Sequence, residues 1–116
     1  MSVWFEDKDY FLIARCDLTS LESGTARAFK EELTSAVGES HRALIVDLSP
    51  VREIDSSGLG ALVAVLKWVR RFGGTMRICG VSSPVREVIE LTMLHRILPL
   101  HATVEDAMSE EVGKLV

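Results

Sequence analysis

Two hydrophobic rhythms run along this chain, and the changes between them mark its elements. Val3-Trp4-Phe5 and Tyr10-Phe11-Leu12-Ile13-Ala14 are aromatic and β-branched runs of the kind that suits a pleated strand. Between them stands Glu6-Asp7-Lys8-Asp9, so the pattern predicts an antiparallel hairpin with a polar turn. After the loop Asp17-Leu18-Thr19-Ser20 the period changes, and Ala26, Phe29, Leu33, Ala36 and Val37 recur at three- and four-residue spacing. That spacing predicts an amphipathic helix over about 21–37, with Gly38 as its terminator.

Arg42 to Leu48 is a near-continuous apolar run, the pattern of a central strand covered on both faces. Pro50 discourages its continuation, and 49–54 is expected to cross the surface. From Leu59 the apolar set 59, 62, 63, 65, 66, 69 and 72 defines a helical stripe, closed by Gly73-Gly74. Lys67, Arg70 and Arg71 in its last turn suit the negative end of the helix dipole. Thr75 to Gly80 reads as the next strand. Ser83-Pro84 reads as a helix start, with the serine as cap and the proline at the first helical position. Val85, Val88, Ile89 and Met93 are expected on the buried side of that helix. Ile97-Leu98-Pro99-Leu100 reads as a short last strand at a sheet edge. Thr103 opens a final helix whose apolar face is Val104, Ala107, Met108, Val112 and Leu115.

The implied fold class is α/β. One domain spanning 1–116 holds a mixed sheet of about five strands flanked by about four helices, in the order β-β-α-β-α-β-α-β-α.

Composition narrows the function. With 47% hydrophobic and 26% charged residues, the chain is ordinary for a globular domain and unlike a disordered one. A net charge of −4 argues against general nucleic-acid binding, which needs a basic face. Cys16 and Cys79 sit in separate strand-like runs and read as buried thiols rather than a disulfide. Acidic residues interrupt the first ten positions, against a signal peptide, and no apolar run approaches the roughly 20 residues that span a bilayer. A cytoplasmic location away from the membrane is expected.

The familiar catalytic patterns fail on their own terms. Gly58-Leu59-Gly60 lacks the third glycine of a dinucleotide fingerprint, because Val63 stands there. Ile54 or Asp55 occupies the glycine position of a nucleophile elbow. His41, His95 and His101 have no metal-ligand spacing with each other or with the cysteines. Asp7 and Asp9 flank a lysine in the expected turn and read as solvated. Asp47 ends a central strand as a receiver's phosphoacceptor would, but the acidic pair and the late lysine of a receiver are missing. No cofactor and no metal are expected.

What stands out is Asp55-Ser56-Ser57-Gly58, between a strand signal and a helix. Helix-start amides lack intrahelical partners, so these side chains can cap the helix, hold an anion or accept a phosphate. A phosphate there would add about two negative charges without disturbing the fold, which suits a reversible interaction switch. The local pattern does not choose between Ser56 and Ser57.

Val46-Asp47-Leu48-Ser49 through Ile54-Asp55-Ser56-Ser57-Gly58-Leu59-Gly60, followed by Gly73-Gly74 and Val81-Ser82-Ser83-Pro84, resembles the STAS domain family. The similarity is to the bacterial anti-sigma factor antagonists of partner-switching systems. It implies a non-enzymatic protein whose unphosphorylated form binds an anti-sigma factor that is also a serine kinase, freeing a sigma factor. By the same resemblance, that kinase phosphorylates Ser56, with Ser57 as the second hydroxyl position, and a metal-dependent serine phosphatase reverses the step. The implied partner surface comprises Asp17, Thr19, Asp55, Ser56, Ser57, Gly58, Leu59 and Ser83, on a monomer or weak dimer. Two positions depart from the family pattern: Ala14-Arg15-Cys16-Asp17 replaces a glycine-containing loop, and Met93 replaces a common glycine. Two other functions are compatible with the residues. One is a STAS scaffold or sensory module of a larger regulatory assembly. The other is a nucleotide binder using the serine-glycine loop, for which no lysine or magnesium ligand is in evidence.

Overall fold

A computed structural model of the chain describes residues 2–8, 10–38 and 43–114, with the backbone alone for 110–114. Asp9, His41, Arg42 and Leu115, and the side chain of Val112, lie outside the described residues. The chain forms β1 (Val3–Lys8), β2 (Phe11–Cys16), β3 (Ser20–Leu21), α1 (Ala26–Ala36), β4 (Ala43–Asp47), β5 (Glu53–Ile54) and α2 (Ser56–Arg71). It continues through β6 (Thr75–Cys79), α3 (Ser83–Leu91), a 3₁₀ turn (Leu94–Arg96), β7 (Leu100–His101) and α4 (Val104–Lys114).

Five strands make the main sheet, in the order β1-β2-β4-β6-β7. Only β1 and β2 are antiparallel; the other neighbours are parallel. This is the mixed sheet with four helices that the hydrophobic pattern implies. Successive residues of the central strands are buried because both faces are covered. Leu12, Ala14, Leu44, Val46, Met76 and Ile78 join the larger core with Phe29, Leu33, Leu62, Leu66 and Ile89 of the helices. The alternate residues Ile13, Ile45 and Cys79 pack against Val104 and Ala107 of α4. On that side a buried arginine, Arg77, donates from Nη1 to the Ala107 carbonyl at 2.7 Å. Charge pairing adds a second tie there, where Arg15 on β2 bridges Glu6 of β1 and Asp47 of β4. The Arg15 guanidinium holds the Glu6 carboxyl below its ordinary range, first through their hydrogen bond.

The structure moves several expected boundaries. Glu6, Asp7 and Lys8 belong to β1 rather than to a turn, because an edge strand leaves charged side chains access to water. Helix α1 starts at Ala26, not near 21. Ser20-Leu21 pairs instead with Glu53-Ile54 as a separate two-stranded parallel ladder, which the expected element order did not contain. α1 leaves through Val37, which is extended and buried, so Gly38 is not its left-handed terminator. The segment 49–54 is not wholly superficial, since Val51 is buried beside Leu48. Ser82, not Ser83, occupies the cap position of α3. The Ser82 hydroxyl does not cap; it donates to the Val51 carbonyl at 3.0 Å. The last strand is Leu100–His101, at the sheet edge as expected, while Ile97 and Leu98 close the turn before it.

The two cysteines are free. β4 separates their strands, and they face opposite layers, so a disulfide is excluded by geometry. Burial pushes the Cys79 thiol from its ordinary 9.0 up to about 12, with Asp47 contributing. The folded state therefore favours the protonated thiol. Its contribution to stability is complete below about pH 9 and is lost as the pH rises toward about 12. Urea unfolding of wild type against Cys79→Ala across that range should show the wild type losing stability faster.

The ends of α2 and α3 make an instructive pair. α2 stops at Gly73 with φ +75°, and the Gly74 N–H reaches the Val69 carbonyl at 3.1 Å, a glycine-terminated helix end. α3 stops at Met93, which holds φ +63° without glycine's freedom. Met93 is exposed, not on the buried side of α3. A left-handed residue with a side chain costs about 1–2 kcal/mol. Met93→Gly should therefore stabilise the protein by about 0.5–1 kcal/mol, after the added freedom of the unfolded chain is subtracted. Thermal denaturation checks this as a rise in melting temperature.

Candidate functional site

The expected site residues come from three segments that follow β2, β4 and β6, so the parallel topology collects them at one end of the sheet. Asp17 and Thr19 lie in the connection after β2. Asp55, Ser56, Ser57, Gly58 and Leu59 open α2, and Ser83 opens α3. Asp17, Thr19, Asp55, Ser56, Ser57 and Ser83 are exposed, Leu59 is half-buried and Gly58 is buried.

The small β3–β5 ladder fixes the first two segments against each other. Beside its strand pairing, the Arg52 N–H donates to the Thr19 carbonyl at 2.7 Å. The Asp55 N–H donates to the Leu21 carbonyl at 3.3 Å. Leu21 is buried beneath, and the Thr25 hydroxyl donates to the Ser20 carbonyl at 2.9 Å, holding the turn into α1. Asp17 is anchored from the other side, its N–H donating to the Ser2 carbonyl at 2.8 Å.

Against this ladder the first turn of α2 comes unusually close. A Cβ on residue 58 would lie 2.1 Å from the Leu21 carbonyl oxygen and 2.8 Å from Ile54 Cγ1. Only glycine fits there. The glycine next along, Gly60, meets nothing within 4 Å, so the two glycines of Gly58-Leu59-Gly60 have different reasons. Asp55 caps the helix: its Oδ1 accepts from the Gly58 N–H at 3.0 Å. Capping is therefore done by the aspartate. Neither Ser56 nor Ser57 hydroxyl is hydrogen-bonded to another described residue.

The two serines differ in surroundings. Ser57 lines a groove of about 390 Å³ between α1 and α2, with Arg27, Lys30, Gly60, Ala61 and Ala64 among its walls. Ser56 does not line it. The local sequence pattern does not separate the serines, and it cannot show Arg27 and Lys30 on one groove with Ser57, a relation that exists only once α1 packs beside α2. The β3–β5 ladder was likewise missed, since two-residue strands carry no periodic signal. Among the described residues no group of three histidines, cysteines or carboxylates could hold a metal ion, and no helix is long and apolar enough to cross a membrane.

Comparison with known proteins adds the family context. The family model described as STAS domain matches residues 12–107. The Anti-sigma F factor antagonist of Paenibacillus polymyxa is 30% identical over 58% of this chain and 57% of its own length, so the match spans less than two thirds of that relative. Among solved structures, an anti-sigma factor antagonist from Mycobacterium paratuberculosis superposes with a TM-score of 0.78 at 29% identity, covering 93% of this chain and 91% of that one. The anti-sigma factor antagonist SpoIIAA in its unphosphorylated form shares the fold, with a TM-score of 0.77 at 18% identity over 96% of both chains. The Bacillus cell fate determinant SpoIIAA is also known in a phosphorylated form, with a TM-score of 0.68 at 17% identity over 93% of this chain and 97% of that one.

The Leu21–Gly58 contact yields a direct expectation. Gly58→Ala should destabilise the protein by about 1–3 kcal/mol or more, because the obstructing atom is backbone and cannot turn aside. Chemical denaturation measures the loss, whereas Gly60→Ala should stay within about 1 kcal/mol of wild type or gain stability.

Proposed function

The chain belongs to the STAS domain family, and from that premise we propose that it is a phosphorylation-gated anti-sigma factor antagonist. In this reading its unphosphorylated form binds an anti-sigma factor with serine kinase activity, which releases a sigma factor. Phosphorylation of Ser56 ends the complex, and a metal-dependent serine phosphatase restores it. The protein performs no chemistry itself and works in the cytoplasm.

The observation that carries this reading is the division of labour at 55–58. Asp55 supplies the cap to Gly58, so Ser56 is exposed and spare. A phosphate on its hydroxyl removes no hydrogen bond from the fold and sits near the positive end of α2, where the chain tolerates it. A partner does not. The surface it meets is already acidic, with Asp55 and Asp17 exposed at the same end, and one further group of about two negative charges imposes like-charge and desolvation costs. The reading favours Ser56 over Ser57 because Ser57 borders the α1–α2 groove, where Lys30 could offset a phosphate's charge, Arg27 being paired there with Glu31.

Incubation with a kinase-type anti-sigma factor and ATP should yield one phosphate, located on Ser56 by mass spectrometry. Ser56→Asp should weaken the complex by about 2–5 kcal/mol in calorimetric titration while leaving the melting temperature near that of wild type. Ser56→Ala should bind and resist phosphorylation. A phosphate mapped elsewhere, together with wild-type affinity for Ser56→Asp, defeats the proposal.

A further inference from the structure

At the far end of α2 from Ser56, the surface changes character. Leu91 is 77% exposed, Met93 48% and Ile97 43%. One compact turn brings them together: the Met93 N–H donates to the Glu90 carbonyl, the Arg96 N–H to Met93 and the Ile97 N–H to Leu94, at 3.0, 3.2 and 3.0 Å. Met93 is also the one described non-glycine residue with positive φ. A bulky side chain held outward in a strained conformation is a mark of use rather than of packing, and a thioether adapts readily to a partner's shape.

A groove of about 210 Å³ adjoins this turn, with Leu66, Arg70, Thr75, Ile97 and Pro99 in its walls. Arg70 and Arg96 are exposed, and neither forms an ion pair with a described residue. Arg15, Arg27 and Arg86 are each paired with a carboxylate, whereas Arg71 lies over the Trp68 ring and Arg52, at the Ser56 end, is exposed like Arg70 and Arg96. Two unpaired guanidiniums beside exposed apolar side chains, on a chain of net charge −4, define a local preference opposite to the charge of the whole.

We propose that this end is a second docking surface, and that it takes an acidic amphipathic helix of a partner protein. The helix lays its apolar stripe on Leu91, Met93 and Ile97, sets one side chain into the groove, and offers carboxylates to Arg70 and Arg96. A second copy of the chain is disfavoured, because a two-fold contact would set the same arginines against each other. An anionic membrane is the weaker candidate: with Lys67 and Arg71 this end carries four exposed cations, the low limit of the roughly four to eight that such surfaces use, and the exposed carboxylates Glu87 and Glu90 stand on the adjoining α3. α2 has 16 residues and so is about 24 Å long. That separates this surface from Ser56, and an occupant here stays bound when the other end is switched.

The test uses a fluorescein-labelled helical peptide of about 14 residues, with leucines at i, i+3, i+4 and i+7 and glutamates elsewhere, read by fluorescence anisotropy against the full chain. Its counterpart with lysines for glutamates is the control. The glutamate peptide should bind and the lysine peptide should not. Leu91→Ser and the double variant Arg70→Glu, Arg96→Glu should each weaken binding by about fivefold or more. Met93→Gly should weaken binding while raising the melting temperature, a combination that an incidental methionine would not give. Ser56→Asp should leave the affinity unchanged. Equal binding of both peptides, no binding of either, or wild-type affinity in Met93→Gly and the arginine variant overturns the proposal. So does capture by phosphatidylserine-rich vesicles, or self-association abolished by Leu91→Ser, in the absence of peptide binding.

Discussion

The close approach of the α2 backbone to the Leu21 carbonyl is the constraint on which the candidate site depends. Because residue 58 has no side chain, the first turn of α2 can rest on the β3–β5 ladder, and the Asp55 N–H can reach the same carbonyl oxygen. That places Asp55 in the extended conformation of a cap and leaves the next residue in the first turn with nothing to hold. The free hydroxyl of Ser56 is thus a consequence of backbone packing one residue before and two residues after it. A hydroxyl that also capped the helix would have made modification compete with folding.

The ladder serves a second purpose. Parallel strands deliver their following loops to one end of a sheet, but they do not hold those loops together. Here the Thr19–Arg52 and Leu21–Asp55 hydrogen bonds join the connection after β2 to the start of α2, and the Ser82–Val51 bond joins the start of α3 to the same region. Three loops become one surface with a fixed shape. A surface of that kind can discriminate between a neutral hydroxyl and a charged phosphate, because its groups cannot rearrange cheaply to accommodate the change.

The two ends of the molecule then carry different chemistry on a shared scaffold. One is polar and acidic, built on helix starts. The other is apolar with unpaired arginines, built where α2 and α3 finish. The comparison of Gly73 with Met93 separates folding from use: both residues occupy the left-handed position after a helix, and only one has the side chain that folding alone would choose. Between the ends, burial of both sheet faces and the ties from Arg77 to α4 and from Arg15 to Glu6 and Asp47 make the scaffold stiff.

Much of this was legible without coordinates. The long periodic runs determined β2, β4, α2 and the mixed α/β class, because hydrophobic periodicity reports which faces are buried. The Asp-Ser-Ser-Gly segment at a strand-to-helix step predicts a capped helix start, and Asp55 does cap α2 through the Gly58 N–H. The sequence could not reveal that Ser20-Leu21 leaves α1 to pair with Glu53-Ile54, because each strand is only two residues long and its partner lies 33 positions away in the register. Nor could it assign the cap of α3, where the Ser82 hydroxyl prefers the Val51 carbonyl. Above all, the local pattern leaves Ser56 and Ser57 equivalent, and within the sequence only the family resemblance separates them. Local pattern gives both the same helix start; only the packing of α1 beside α2 puts Ser57 on a groove with Arg27 and Lys30 and leaves Ser56 outside it.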